Sequence, residues 1–493
     1  MESCALNSLA PRFPTFDLEE TRPDTAYHPG LLSLRARSSA RRFLGSAPYD
    51  RDALLPRDTG AGFRSLHQLE RAGLLRSVIP LAVTAAERPT ARARGALGRL
   101  ALSIPEEPGS SPLEGGSLVA VDSEEDAEWL RRRLAEDPEV ESVARVPIRY
   151  RLAPAVILAV PPPTPTLWNL TAIEWAAARA LPGFKDAADR KVAVLDTGID
   201  EDHPGLETRV ASYVHDYPHP LSSSVFRPDD VVGHGTHVAG TIAALANDGY
   251  GVDGVSAAQI YAYKVFPDQA TALVQGGPGV ACYTYVADPM AYLLALDDCL
   301  RQGIDVVNLS LGGPGNPEPN EGALFDALLG RGTVLVAAMG NDGLDGSPTT
   351  YPAALPGVIA VGASRQDDRI ADFSSRGPHI SLCAPGVAIW STLPTYPGHA
   401  GFRAIPTPEG GFQRGRALPR ETEYDAWDGT SMAAAHVSGA VALLLANRGP
   451  LSPAEVKRRL EATAGRVPGM GGLAFDPAYG HGRLNLRRLL QEE

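Results

Sequence analysis

The chain has 493 residues, of which 44% are hydrophobic, and its formal net charge is −13. This length predicts two or three domains with an ample apolar core. The acidic balance disfavours nucleic acid as a partner, and no apolar run is long enough for a membrane span. The four cysteines contain no C-x-x-C pair, which argues against a disulfide framework and a zinc site. The start, Met1-Glu-Ser-Cys4, lacks a basic-then-apolar leader, so we expect a cytoplasmic protein.

Shifts in composition divide the chain into segments. We predict a loosely structured extension, a small α+β domain, a stiff proline-rich linker and a main domain at residues 1–60, 61–150, 151–167 and 168–493. In the second segment, Ser117–Val121 is strand-like, and Ser123 is a candidate N-cap for a helix reaching Ala135. Val140 and Val143 mark a further strand-like run, which completes the α+β pattern.

Residues 168–493 alternate short apolar runs with helical segments. The strand candidates are Val192–Leu195, Ile260–Val265, Val306–Leu309, Val334–Ala338 and Val358–Val361. The helix candidates are His234–Ala246, Pro289–Gln302, Gly322–Arg331 and Ser431–Ala446. This alternation predicts an α/β fold with a mostly parallel twisted sheet and helices on both of its faces.

Three short segments of the main domain carry candidate chemistry. The first, Val194-Leu-Asp-Thr-Gly-Ile-Asp200, ends an apolar strand in Asp196 and continues into a glycine turn. Loops at the carboxyl ends of parallel strands are where such sheets present functional groups. Taken alone, Asp196 is better interpreted as a turn aspartate.

The second segment, Gly233-His-Gly-Thr-His-Val-Ala-Gly240, opens a helix with two histidines three residues apart. Such a pair can bind a metal ion, but no further ligand follows at the spacing of a zinc protease, so no metal is expected. The glycines beside His234 allow a substrate to approach closely. We expect His237, one turn later, to pack or bond within the fold.

The third segment, Asp428-Gly-Thr-Ser-Met-Ala-Ala-Ala-His-Val-Ser-Gly439, places Ser431 where a glycine turn opens a long helix. The amino end of a helix stabilises negative charge, and its free N–H groups can point at a developing oxyanion. A helix-capping serine is the better interpretation of this segment in isolation.

The three segments together indicate nucleophilic catalysis. A serine hydroxyl is a poor nucleophile unless an imidazole takes its proton, and the imidazole needs a carboxylate on its other nitrogen. Asp196, His234 and Ser431 supply these three groups at the openings of elements in one domain.

These motifs, in the order Asp, His, Ser, resemble the signatures of the subtilisin-like serine protease family. The resemblance covers roughly residues 165–490 and implies a subtilisin-like fold. It implies that Asn341 donates its amide to an oxyanion, and that Ser310, Leu311 and Gly312 pair with substrate as an added strand. It places Thr350 at the base of the first side-chain pocket, and leaves open whether that pocket takes a basic or an apolar residue.

Residues 115–150 resemble the end of the inhibitory propeptide of this family. The resemblance implies that Pro147-Ile-Arg-Tyr-Arg-Leu-Ala153 lies through the cleft as an inhibitory tail, so the chain's own N-terminal region is an expected partner. The alternative, an unrelated α+β appendage, stays open at this point.

The chain also departs from the family pattern. The family's strong calcium site uses an acid directly after a His-Pro pair, whereas His203-Pro204 is followed by Gly205. No cofactor is expected for the chemistry, and a structural calcium ion stays open because Asn247, Asp248 and Asp253 offer other oxygen ligands. Two stretches, at residues 267–288 and 395–424, are longer than a minimal member of the family needs. The first borders the region expected to hold distal substrate subsites. The second is interpreted as a solvated insertion, with a basic loop that gates the cleft, is cleaved during activation or binds a partner as the alternatives.

The function predicted from these residues is a serine endopeptidase that acts on polypeptides and is made as a self-inhibited precursor. The main alternative is a catalytically silent regulator whose cleft only holds a peptide. A second alternative is an acyl hydrolase, which would not need the strand-pairing segment at Ser310.

Overall fold

The description rests on a computed structural model. It covers residues 26–37, 75–81, 92–93, 111–113, 115–121, 123–138, 140–151, 167–217, 224–246, 251–275, 281–408 and 410–491. The strands are β1 (Tyr27–Ala36), β2 (Leu75–Pro80), β3 (Arg92–Ala93), β4 (Gly116–Val121), β5 (Val140–Pro147), β6 (Tyr150–Arg151), β7 (Lys191–Asp196), β8 (Val210–Val214), β9 (Gln259–Lys264), β10 (Ala272–Gln275), β11 (Ala281–Thr284), β12 (Val306–Leu309), β13 (Leu311–Gly312), β14 (Val334–Ala338), β15 (Ile359–Ser364), β16 (Ile380–Pro385), β17 (Ile389–Thr392), β18 (His399–Pro406), β19 (Phe412–Pro419) and β20 (Tyr424–Trp427).

The described helices are α1 (Glu124–Ala135), α2 (Trp168–Ala172), α3 (Trp175–Arg179), α4 (His234–Ala243), α5 (Pro289–Gln302), α6 (Pro319–Gly330), α7 (Thr430–Arg448), α8 (Pro453–Thr463) and α9 (Leu486–Gln491). Short 3-10 turns lie at Gly343–Asp345 and Pro468–Met470.

The main domain is built on one sheet with the order β16-β15-β14-β12-β7-β9-β8-β3. Its strands from β16 to β8 pair in parallel, and β3 joins the edge antiparallel to β8. Strand residues are buried from both sides because α4 and α7 pack on one face, and α5 and α6 on the other. The predicted α/β fold is confirmed.

Helix α7 runs through the centre of this core. By length and composition it is the one helix of the described chain able to cross a membrane, but 94% of the apolar window is buried inside the protein. Its apolar character therefore follows from its neighbours on every side.

The N-terminal region forms a separate four-stranded sheet in the order β2-β4-β1-β5. Helix α1 begins after Ser123, whose side chain accepts a hydrogen bond from the Asp126 N–H, and packs Leu130 and Leu134 on this sheet. The predicted looseness of residues 1–60 needs a correction, since Tyr27–Ala36 is β1, an inner strand between β4 and β5. Its backbone pairs only with strands about a hundred residues away, so no local sequence pattern predicts this strand.

The two predicted insertions, residues 267–288 and 395–424, together make one further sheet, β10-β11-β18-β19. Cys282 pairs with Arg403, and Tyr283 with Phe402, so the strand from one insertion is hydrogen-bonded to the strand from the other. The described parts of these stretches are therefore paired strands, and β19 is largely exposed to solvent.

Candidate active site

Asp196 and His234 lie in contact at one edge of the main sheet. Asp196 is the last residue of β7, and His234 is the first residue of α4. The His234 Nδ1 atom lies 2.6 Å from Asp196 Oδ1, which also accepts a 2.7 Å hydrogen bond from the Thr197 N–H. Both side chains are buried, so water does not compete for this bond.

A second buried carboxylate fixes the start of α4. Asp230 Oδ1 accepts hydrogen bonds from the Gly233 N–H at 2.9 Å and from the Thr197 hydroxyl at 2.8 Å, and its Oδ2 accepts one from the Thr236 N–H at 3.0 Å. Asp230 therefore caps α4 and ties it to the end of β7. Gly233 has φ +86°, a conformation that glycine adopts without strain.

Ser431 is the second residue of α7 and is fully buried. Its Oγ lies 3.4 Å from the Ser310 carbonyl oxygen, and the Ser310 hydroxyl donates a 3.2 Å hydrogen bond to the Ser431 carbonyl. The Nε2 atom of His234 is buried and makes no hydrogen bond with the described residues, so it is not bonded to the Ser431 hydroxyl in this structure. Such bonds often tighten only when substrate binds.

Asn341 follows β14, and hydrogen bonds fix which end of its side-chain amide faces the start of α7. Its Oδ1 accepts hydrogen bonds from the Thr430 N–H at 3.0 Å and the Thr430 hydroxyl at 2.9 Å. Because both donors face Oδ1, the Nδ2 group is left facing away from them, buried and without a partner in the described chain. An oriented N–H donor of this kind is ready for an acceptor.

The N-terminal segment lies in the groove beside these residues. Arg151 of β6 pairs with Leu311 and Tyr150 pairs with Gly312, in antiparallel register. On the other side, the Ala287 N–H donates a 2.8 Å hydrogen bond to the Arg149 carbonyl. A polypeptide segment is thus held between β13 and the stretch at Val286 and Ala287.

One insertion contributes to the walls of the site. Arg420, directly after β19, is buried and donates hydrogen bonds to the carbonyls of Val231 and Asp230, both at 3.1 Å. Arg151 donates a 3.1 Å hydrogen bond to the Ala400 carbonyl of β18. The added sheet therefore touches both the loop before His234 and the strand in the groove.

Thr350 lies beside the turn that carries Asn341. It is buried, its hydroxyl donates to the Pro348 carbonyl at 3.3 Å, and its Oγ1 lies 2.8 Å from the position a Cβ on Gly340 would take. Burial, together with nearby Asp345, raises the pKa of the Asp342 carboxyl. Both residues adjoin the site, and the assignment of Thr350 to the first side-chain pocket stays a prediction.

The described residues contain no group of three or more His, Cys, Asp and Glu side chains able to hold a metal ion. Gly205 has no side-chain oxygen, and its carbonyl accepts a 3.0 Å hydrogen bond from the Leu245 N–H. Asn247 and Asp248, two of the candidate calcium ligands, lie outside the described residues.

Two residues near the groove were missed by sequence reasoning. Asp230 precedes Gly233 by three residues, a spacing that marks a capping carboxylate in hindsight. Glu321 stands in the first turn of α6, where an acid is unremarkable, and its partner Arg149 is 172 positions away in sequence. Only the first of these had a local signal.

Comparison with known proteins agrees with this architecture. Subtilisin amylosacchariticus from Bacillus subtilis subsp. amylosacchariticus is 37% identical over 305 residues, which are 61% of this chain and 65% of that protein. The chain thus spans a little under two thirds of that relative. The subtilisin of Bacillus pumilus is also 37% identical, over 61% of this chain and 90% of that protein.

A solved structure is similar in fold. It is described as fervidolysin from Fervidobacterium pennivorans, a keratinolytic enzyme related to subtilisin, and it aligns with a TM-score of 0.59 and 24% identity. The alignment covers 95% of this chain and 62% of that one. The family model of the subtilases, Peptidase_S8, matches residues 188–482. The chain belongs to the subtilase family.

Proposed function

We propose that this protein is a serine endopeptidase made as a self-inhibited precursor. The observation that carries the proposal is the strand Tyr150–Arg151, hydrogen-bonded along Leu311–Gly312. A groove that holds an extended polypeptide through backbone pairing suits a peptide substrate, whereas a small ester would not need it.

In the proposed reaction, Ser431 attacks the carbonyl carbon of the scissile bond while His234 Nε2 takes the hydroxyl proton. Asp196, bonded to Nδ1, holds the ring in the required tautomer and stabilises the imidazolium. The imidazolium then gives its proton to the leaving amine, and the acyl-enzyme on Ser431 remains. A water molecule, deprotonated by His234, resolves it and regenerates the hydroxyl.

The developing oxyanion needs donors that are already oriented. The Asn341 Nδ2 group fits this role because Thr430 occupies its Oδ1, and the N–H of Ser431 at the start of α7 supplies a second donor. Preorganised donors of this kind need no rearrangement when the charge forms.

The pairing register orients the substrate. The Arg151–Leu311 pair places the next residue of a bound chain opposite Ser310, whose carbonyl lies 3.4 Å from the Ser431 Oγ. A substrate in this register is cut after the residue opposite Ser310. Thr350 is assigned to the pocket for that residue.

Latency follows from occupancy of the groove. His234 and Ser431 are both 0% exposed while the chain's own N-terminal region is in place, so an external substrate has no access. Cutting within residues 147–166 is proposed to accompany activation.

A fluorophosphonate probe tests the proposal, because it reacts with an activated serine and not with an ordinary hydroxyl. We expect labelling of Ser431 after activation, and none in Ser431→Ala. Absence of labelling in both full-length and trimmed protein would leave the silent regulator as the better account. Cleavage of a peptide library, compared with simple esters, separates an endopeptidase from an acyl hydrolase.

A further inference from the structure

A buried ion pair joins the strand in the groove to the main domain. Arg149 donates from Nε to Glu321 Oε1 at 3.1 Å and from Nη2 to Oε2 at 2.7 Å. Its Nη1 donates to the Gly315 carbonyl at 2.8 Å. The side chains are 2% and 1% exposed, so the pair is shielded from water.

The groups that accept hydrogen bonds from this guanidinium all belong to the main domain. Glu321 lies in the first turn of α6, and the Tyr292 hydroxyl of α5 donates a 3.1 Å hydrogen bond to its Oε1. Gly315 belongs to the loop between β13 and α6. Val146 and Pro147 of the N-terminal region also line this pocket. The acceptors therefore belong to the main domain, and the guanidinium that they bind belongs to the segment in the groove.

Removal of the segment leaves the acid of the pocket without its cation. Within the described chain, Arg149 is the only cationic group within ion-pair distance of Glu321. A neighbouring carboxyl, Glu318, lies beside Glu321; while the N-terminal region is in place, burial raises the pKa of Glu318 to about 7. A site built to bond a buried charged group discriminates strongly against a ligand that lacks it.

The geometry favours arginine over lysine. Two parallel N–H donors meet the two carboxylate oxygens, and a third reaches a backbone carbonyl on the far side. A planar guanidinium supplies this fork, whereas an ammonium group offers a single charged point.

We propose that Glu321 selects substrates with arginine at the fourth position before the cut. The residue opposite Ser310 is the first position, and the count runs toward the N-terminus of the substrate. The inference rests on the proposed function, because it assumes that substrates take the register of the segment at Arg149–Arg151. Glu321 is then a specificity-determining residue, and Arg149 is the internal copy of the residue it selects.

The test uses fluorogenic peptides that copy residues 149–152, Arg-Tyr-Arg-Leu, and the protein as it is obtained after self-processing. The residue that copies Arg149 is varied among arginine, citrulline, lysine and glutamate. Citrulline keeps the shape of arginine without its charge, so this comparison needs no change in the protein. We expect kcat/KM for arginine to exceed that for citrulline by at least about 30-fold, the size of a lost buried charge pair.

The matching variant is Glu321→Gln, in which the arginine-to-citrulline ratio should fall to about one. The control variant Asp186→Asn breaks the distant Arg179–Asp186 pair and should keep the ratio. In a control peptide, citrulline replaces the residue that copies Arg151. This change should lower kcat/KM by the same factor in Glu321→Gln as in the unchanged protein, since that residue does not contact Glu321.

Equal cleavage of all peptides would overturn the inference and leave the proposed function intact. An arginine-to-citrulline ratio of kcat/KM that is unchanged in Glu321→Gln would have the same two consequences. No cleavage of any peptide would refute the proposed function. Selectivity is then read from binding of the same peptides to Ser431→Ala by fluorescence anisotropy. Tighter binding of arginine than citrulline supports the pocket assignment, and equal binding overturns it.

Discussion

The two ends of the groove are held in different ways. At the chemical end, Asp196, His234 and Asn341 are fixed by short hydrogen bonds to residues of the main domain, such as Thr197 and Thr430. At the far end, the strand in the groove is fixed by an ion pair between two regions, Arg149 and Glu321. The first set of contacts survives departure of the N-terminal region, and the second does not.

In the proposed precursor, this difference separates the residues of the reaction from those that hold the N-terminal region in the groove. Changes at the chemical end should alter turnover without releasing the N-terminal region. Changes at the ion pair should alter its release without disturbing the Asp196–His234 bond.

The largest effect is expected at Asn341. Replacing it with leucine removes the oriented Nδ2 donor, and in subtilisin itself loss of such a donor lowers kcat by about 10²–10³-fold. We expect a similar fall with little change in KM, measured on a fluorogenic peptide. Thr430 loses two acceptor contacts, so thermal unfolding of the variant is the necessary control. A kcat within threefold of the unchanged protein would remove Asn341 from the oxyanion site.

Arg149→Met should loosen the N-terminal region. Breaking one side of a buried ion pair costs about 2–5 kcal/mol, because the other charge stays buried. In freshly prepared full chain, the initial rate of peptide cleavage should therefore rise by about 30-fold or more.

Arg179→Met, which breaks an ion pair with Asp186 away from the groove, is the matched control and should show no such rise. If both variants behave alike, the Arg149 pair does not hold the segment.

The smallest effect is an acid-dependent loss of stability. Burial, followed by the nearby His234, lowers the pKa of His237 to about 3, and burial lowers the pKa of His436 to about 4. Both rings are neutral when folded and take up a proton on unfolding below pH 6.5. The stability that each neutral ring contributes is therefore fully present above pH 6.5. As the pH falls from 6.5 toward the folded-state pKa values, the free energy of unfolding decreases by up to about 1.4 kcal/mol per pH unit for each ring.

Denaturant unfolding in Ser431→Ala, which avoids self-digestion, measures this slope between pH 6.5 and 5. His237→Gln should flatten it by the share of one histidine. A slope unchanged by this substitution would mean that His237 is not held neutral by the fold.

Much of the main domain could be predicted from sequence because its signals are local. Val306–Leu309 and Val334–Ala338 are strands with the predicted bounds, since apolar runs there end in polar or glycine residues. Helix Pro289–Gln302 also matches, because Asp288 caps its start and Gly303 adopts the left-handed conformation at its end.

Boundaries that depend on side-chain contacts were misjudged. Helix α6 starts at Pro319 rather than Gly322, because the Glu318 carboxylate accepts hydrogen bonds from the N–H groups of Asn320 and Glu321. Helix α4 ends at Ala243 rather than Ala246, where the chain turns to extended backbone.

Features that join distant parts of the chain had no sequence signal. The sheet that links β11 to β18 and the Arg149–Glu321 pair each depend on residues more than a hundred positions apart. The triad candidates Asp196, His234 and Ser431 could be found because each lies in its own recognisable motif. The strand pairing at Leu311–Gly312 was implied by the resemblance. The role of Glu321 as the ion-pair partner of Arg149 was not.

The most direct test of the account is the intact mass of the full chain after incubation, compared with that of Ser431→Ala. We predict that the unchanged protein is cut within residues 147–166 as peptide cleavage appears, while Ser431→Ala keeps its full mass. Full activity in uncut protein, or the same cut in Ser431→Ala, would contradict it.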